Sequence, residues 1–206
     1  MEDRKTEKTK REEKRADEKF GSRAGSRYFA DYDVKKEYNP RRGRMETKRV
    51  YVGEYYIQDI TMRQKILIRV LYLALFIASV ALFVHCACQS TGSNFAWYVT
   101  LPQVVCVPAM MWMVGGFMMY LPGIGKIQKW DYKHGAVTLR RTSLVSAVCL
   151  GVMALGTLAF YVFHREESDS QTLLNVLLFG LAACMMAAVF ITEKKIPYRI
   201  LENEEK

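Results

Sequence analysis

The stretch that decides the fold covers residues 66–86 and reads ILIRVLYLALFIASVALFVHC. It is almost entirely apolar, and its one formally charged residue, Arg69, lies near its beginning. A helix needs about 20 mostly apolar residues to cross about 30 Å of hydrocarbon. This stretch is therefore predicted to be a transmembrane helix.

Three further stretches have the same character, at residues 96–121, 143–163 and 172–192. The second of them exceeds the usual length and is expected to tilt or kink. The sequence thus predicts an all-α membrane protein whose four transmembrane helices form two hairpins.

Charge is distributed unevenly along the 206 residues, which carry 30 Lys+Arg, 21 Asp+Glu and a net charge of +9. Residues 1–65 hold 19 of the basic and 13 of the acidic side chains, whereas the remainder is strongly apolar. This composition excludes a soluble globule, a collagen-like chain and a disulfide scaffold. Residues 1–27 have few large apolar groups, and we expect this part of the tail to be disordered.

The distribution of Lys and Arg predicts the orientation, because basic loops stay in the cytoplasm. The loop at 122–142 contains five Lys and Arg residues against one acidic residue, Asp131. The loops at 87–95 and 164–171 have no basic excess. We therefore expect a multi-pass plasma-membrane protein with both termini in the cytoplasm.

A polybasic patch at 41–49 is expected to bind anionic lipid headgroups. Arg69 is expected to reach the same phosphates by extending its long stem along the helix. The predicted headgroup-binding residues are Arg41, Arg42, Arg44, Lys48, Arg49 and Arg69. Residues 1–20 are nearly balanced in charge, so nucleic-acid binding is not predicted.

A shift of 77 residues aligns 60–63 with 137–140, and a shift of 75 aligns Met110-Met111 with Met185-Met186. This pattern is typical of two tandem, parallel copies of one hairpin. The alternative is that membrane hairpins share such composition by constraint.

Small residues recur at helical spacing in the third and fourth predicted spans, where they permit close approach of helices. They are expected to pack these spans together, the alternative being a homodimer face. The two stripes comprise Ser143, Ala147, Gly151, Gly180, Cys184 and Ala188.

The second span contains Pro102 and Pro108, and broken helices line substrate sites in transporters. Gln103, Asn175 and His85 could line a polar outer vestibule for a small ligand. The ordinary alternative is that such amides bond to neighbouring helices. The predicted spans contain no carboxylate of the kind that proton-coupled transporters use, which argues against such a pump.

Cys86 and Cys88 lie close to His85, which suggests thiol redox chemistry or metal capture. Their spacing matches neither the usual reactive pair nor a recognised metal pattern, and no cofactor is predicted. The stretch 28–38 is interpreted as a docking peptide or a linker on the membrane. A short strand or an interfacial segment is expected within 50–57.

The absence of a catalytic or coupling group in the sequence predicts a non-enzymatic accessory or scaffolding subunit of a membrane complex. Its partners would be the lipid bilayer and either another membrane protein or a second copy. A small transporter or channel subunit is the main alternative, and a thiol or metal redox protein is the third.

Overall fold

The computed structural model describes residues 31–40, 43–123, 125–165 and 169–201. The chain divides into two compact units, one formed by residues 1–54 with 202–206 and the other by residues 55–201. The second unit is mostly helical and contains the membrane helices. Residues 1–27, which the sequence predicts to be disordered, lie outside the described residues.

Four helices are long and apolar enough to cross a membrane, as the sequence predicts. They are α1 (Met62–Ala87), α2 (Trp97–Tyr120), α3 (Thr138–Phe163) and α4 (Ser170–Lys195). Each exposes large apolar side chains on its outer surface, including Leu67, Val104, Leu155 and Leu177. Such a surface suits contact with lipid rather than water.

Local sequence signals set the limits of these helices. Thr61 precedes α1, and its backbone N–H donates to Oε1 of Gln64 at 3.1 Å, so one free amide at the helix start is satisfied. Pro197 follows α4 and cannot continue a helix. Pro102 and Pro108 both lie inside α2 without ending it.

The helices pack in the spatial order α1, α4, α3, α2, and α3 against α4 is the most extensive pair. The backbones of α1 and α2 make few contacts. Their side chains meet near the middle of α1, where the ring centroids of Phe76 and Phe117 are 5.2 Å apart. The two predicted hairpins are therefore packed to very different extents.

The α3–α4 contact does not use the predicted stripe on α4. Cys184 and Ala188 are exposed, and a Cβ added at Gly180 or at Gly151 of α3 would meet nothing within 4 Å. Ser143 is buried and donates to the carbonyl of its own helix, and Ala147 is half-buried. The expectation is wrong for α4 because its inward face follows a different register: Thr172, Asn175, Phe179, Ala182, Met186 and Val189.

Close backbone approach occurs instead between α2 and the segment that leads into α3. This segment comprises a short helix, Lys129–Tyr132, and a π-helical turn, Lys133–Val137. A Cβ on Gly135 in that turn would lie 3.2 Å from the backbone nitrogen of Tyr120. Only glycine therefore fits this position without displacing the backbone of α2.

Two small sheets correct the expectation of an all-helical chain. In the first unit, β1 (Tyr32–Asn39) and β2 (Arg44–Tyr51) form an antiparallel hairpin. In the second unit, β3 (Tyr55–Gln58) pairs antiparallel with β4 (Ile127–Gln128) and with β5 (Tyr198–Leu201). The stretch 28–38, interpreted as a docking peptide or a linker, thus contains most of β1, because cross-strand pairs stabilise β-branched and aromatic residues.

Candidate functional site

A cluster of buried polar side chains lies at the end of the bundle where α1 begins and α4 ends, which we call the Glu193 end. We define the Glu193 cluster as Gln58, Tyr72, Tyr120, Glu193 and Tyr198. Gln58 and Glu193 are each only 3% exposed. Burying a carboxylate this far from solvent costs free energy unless the group has hydrogen-bond partners. The groups around Glu193 therefore determine its role.

Two tyrosines donate hydrogen bonds to the Glu193 carboxylate. The Tyr120 hydroxyl donates to Oε2 of Glu193 at 3.0 Å, and the Tyr198 hydroxyl donates to Oε1. Nε2 of Gln58 donates to both phenolic oxygens, at 3.2 Å and 2.9 Å. Burial, and then the neighbouring Glu193 charge, raise the pKa of Tyr198, which keeps its proton available to donate.

Tyr72 completes the cluster from α1. Its ring stacks on that of Tyr120, with centroids 6.2 Å apart. Its buried hydroxyl lies near the Glu193 carboxylate but makes no hydrogen bond of normal geometry within the described part of the chain. Every membrane helix except α3 therefore contributes to the cluster, together with β3 and β5.

The contacts of Arg69 differ from those that the sequence predicts. It is 4% exposed, and its guanidinium donates to the backbone carbonyls of Leu121, at 2.9 Å, and of Gly123. Its Cζ also lies 5.3 Å from the centroid of the Tyr120 ring. The side chain is thus directed to the C-terminal end of α2 rather than to lipid phosphate, because free carbonyls at a helix end attract a cation.

The opposite end of the bundle, which we call the Cys86 end, holds the residues of the predicted vestibule. Asn94 donates to the carbonyls of Cys86 and Gln89, at 2.9 Å and 2.7 Å. Gln103 donates to Oδ1 of Asn94 at 3.4 Å, and the Gln89 amide lies 2.9 Å from His85. Gln103 and His85 therefore belong to a network that shapes the loop between α1 and α2.

Asn175 is fully buried at the same end, and its environment is unusual. Neither its amide nitrogen nor its amide oxygen has a hydrogen-bond partner among the described residues. No hydrogen bond joins it to Gln103 or His85 in that part of the chain. The structure thus does not bring the three predicted vestibule residues together through direct contacts.

The two candidate redox cysteines differ in their exposure to solvent. Cys86 is buried and Cys88 is exposed, and both are free thiols. Within the ranges that the structure covers, no group of three His, Cys, Asp or Glu residues could hold a metal ion.

The predicted headgroup-binding patch is only partly described. Arg44, Lys48 and Arg49 lie in β2. Arg41 and Arg42 fall outside the described residues. The binding of lipid by this patch stays a prediction.

Glu193 is the residue that sequence reasoning missed. The fourth predicted span ends at Thr192, so Glu193 lies one residue beyond it and the prediction of spans without a carboxylate did not consider this residue. The helix continues to Lys195 and turns Glu193 inwards, one helical step after the buried Val189. The 3,4 spacing of that inward face is the signal that could have identified it.

Comparison of the chain with protein-family models, with curated proteins and with solved structures finds no match. Its function is therefore argued from its own residues.

Proposed function

We propose that this protein is a non-enzymatic accessory or scaffolding subunit of a membrane complex. The observation that carries the proposal is the β1–β2 hairpin, which belongs to a unit separate from the helices. In the described part of the chain no third strand joins this hairpin. A two-stranded sheet is marginally stable alone, and its open edges accept a strand from a partner.

The membrane setting rests on the four apolar helices, which make the chain compatible with a multi-pass membrane protein. Within this proposal the membrane is the plasma membrane and both termini face the cytoplasm. The excess of Lys and Arg in residues 122–142 supports that orientation. The tandem relationship of the two hairpins stays a prediction.

The Glu193 cluster supports a structural rather than a catalytic role. Both oxygens of Glu193 already accept hydrogen bonds, and both phenols that donate them also accept from Gln58. A general acid or base must instead reach a proton on a substrate. The cluster therefore serves to join β3, β5, α2 and α4.

The test is purification of the tagged full chain from its own membranes in mild detergent, followed by native mass spectrometry. We expect a second protein at fixed stoichiometry. Lys36→Pro, in the middle of β1, should remove it, because proline disrupts strand pairing. Lys36→Ala is the matched control and should retain it. A lone monomer or homodimer, or equal retention by both variants, would contradict the proposal.

A small transporter or channel subunit is the second candidate, and the unpartnered amide of Asn175 favours it. Buried polar groups without protein partners usually contact ordered water or an ion. High-resolution density beside the Asn175 amide tests this candidate directly. An ordered water chain or an ion there would support it, whereas a dry, well-packed site would contradict it.

A further inference from the structure

A cavity of about 220 Å³ lies beside the Glu193 cluster, between the start of α3 and the end of α4. Its polar lining consists of Tyr132, Arg140, Glu193, Lys194 and Tyr198. Arg140 is half-buried, and Lys194 is exposed. The cavity is thus distinct from the hydrogen-bonded interior of the cluster, with which it shares one wall.

The lining offers unused donors. Among the described residues, the guanidinium of Arg140, the ammonium of Lys194 and the hydroxyl of Tyr132 have no hydrogen-bond acceptor. Both oxygens of Glu193 accept from tyrosines, and the Tyr198 hydroxyl already accepts from Gln58. A complementary ligand must therefore bring acceptor oxygens.

The charges of the lining side chains indicate which class of ligand suits the cavity. Arg140 and Lys194 are basic and Glu193 is the one acidic side chain of the lining, so the basic side chains outnumber the acidic ones by one. Arg140 attracts the Glu193 carboxylate electrostatically, yet the two form no ion pair in the part of the chain that the structure covers. A phosphate diester carries one negative charge and several acceptor oxygens, and guanidinium groups bind phosphate oxygens well.

The site is also held in shape before any ligand enters. The Tyr132 ring is stacked on Tyr56, with centroids 4.3 Å apart, and packs edge-on against Tyr198 at 4.8 Å. Its free hydroxyl is therefore fixed at the cavity wall. We propose that this cavity binds a phosphate group, carried by a phospholipid headgroup or by a soluble anion. The proposal goes beyond the accessory role and does not depend on it.

The experiment uses full-length protein, stripped of lipid in detergent and examined by native mass spectrometry. The probes are short-chain phosphatidylglycerol, the matching diacylglycerol that lacks phosphate, and inorganic phosphate. The double variant Arg140→Gln with Lys194→Gln removes the two cations of the cavity. Its matched control is Arg141→Gln with Lys195→Gln, which removes two adjacent exposed cations outside the lining.

We expect the cavity variant to weaken phosphatidylglycerol binding at least about tenfold, because two charge-assisted hydrogen bonds are lost. The control should retain binding within about threefold, and Tyr132→Phe should give a smaller loss than the double variant without unfolding the bundle. Competition by inorganic phosphate would identify a soluble anion as a second source of the ligand. Binding of the lipid alone would identify the headgroup.

Two results would overturn the proposal. The first is equal weakening in the cavity and control variants, with Tyr132→Phe unchanged, because that indicates non-specific attraction to positive charge. The second is equal binding of diacylglycerol.

Discussion

The hydroxyl of Tyr120 donates a hydrogen bond to the carboxylate of Glu193, a residue 73 positions later in the chain. The bond joins the end of α2 to the end of α4. These two helices otherwise pack on α3 and α1 rather than extensively on each other. This hydrogen bond thus links two helices whose backbones make few contacts with each other.

Replacing Glu193 should destabilise the protein. Hydrogen bonds to a charged group contribute about 1.5–3 kcal/mol each, so Glu193→Leu is expected to cost about 3 kcal/mol and Glu193→Gln about half of that. Unfolding in detergent, followed by circular dichroism, measures the difference. Asp59→Asn removes an exposed carboxylate and should change stability by less than about 0.5 kcal/mol. Equal effects at both positions would contradict a structural role for the cluster.

Stability should fall at alkaline pH. The pKa of Tyr198 is raised in the folded protein, so above the ordinary tyrosine pKa of about 10 the unfolded chain loses this proton while the folded chain keeps it. The contribution of the phenol is therefore complete below about pH 10 and declines as the pH rises further. Unfolding midpoints between pH 7 and 11 test this, and Tyr198→Phe should flatten the alkaline part of the curve. An identical slope in that variant would count against it.

Arg69 should be sensitive even to conservative change. Its two carbonyl acceptors are reached by separate guanidinium nitrogens, a geometry that an ammonium group cannot reproduce. Arg69→Lys is expected to lower stability by about 2 kcal/mol and Arg69→Met by somewhat more. The exposed Arg63 on the same helix is the matched control, and Arg63→Lys should be neutral. Comparable losses at both positions would show that the carbonyl contacts contribute little.

The glycines of the bundle should divide into two groups. Gly135→Ala places a Cβ against the backbone of α2 and is expected to cost about 1–3 kcal/mol. Gly151→Ala meets open space and should be neutral, or stabilising by up to about 1 kcal/mol through helix propensity. Thermal unfolding of the two variants in one detergent provides the comparison. Destabilisation by Gly151→Ala would instead restore the predicted stripe on α3.

The four spans were predictable because runs of apolar residues encode a membrane helix locally. Residues 66–86, for example, fall within α1 as built. The packing was not predictable, since small residues at helical spacing mark a possible contact without saying which face turns inwards. Cys184 and Ala188 illustrate the point, because α4 presents Met186 and Val189 to the core instead.

The polar site was less accessible from sequence than the helices. Glu193 follows the apolar run immediately, where hydropathy alone places a boundary, and its tyrosine partners come from distant elements. The β1–β2 hairpin was missed for a related reason: charged strands that pair with each other lack the apolar alternation by which a half-buried strand is recognised. The polar site depends on contacts between residues far apart in the sequence, which local composition does not reveal.

The spatial order of the helices has a consequence for biosynthesis. The main helical neighbour of α1 is α4, the last of the four to be made. During translation α1 is therefore made before its main neighbour in the native bundle. Tyr72 cannot approach Glu193 until α4 has been synthesised. Assembly of the bundle is consequently expected to complete only after synthesis of the chain, so truncation before α4 would leave an orphan helix for membrane quality control.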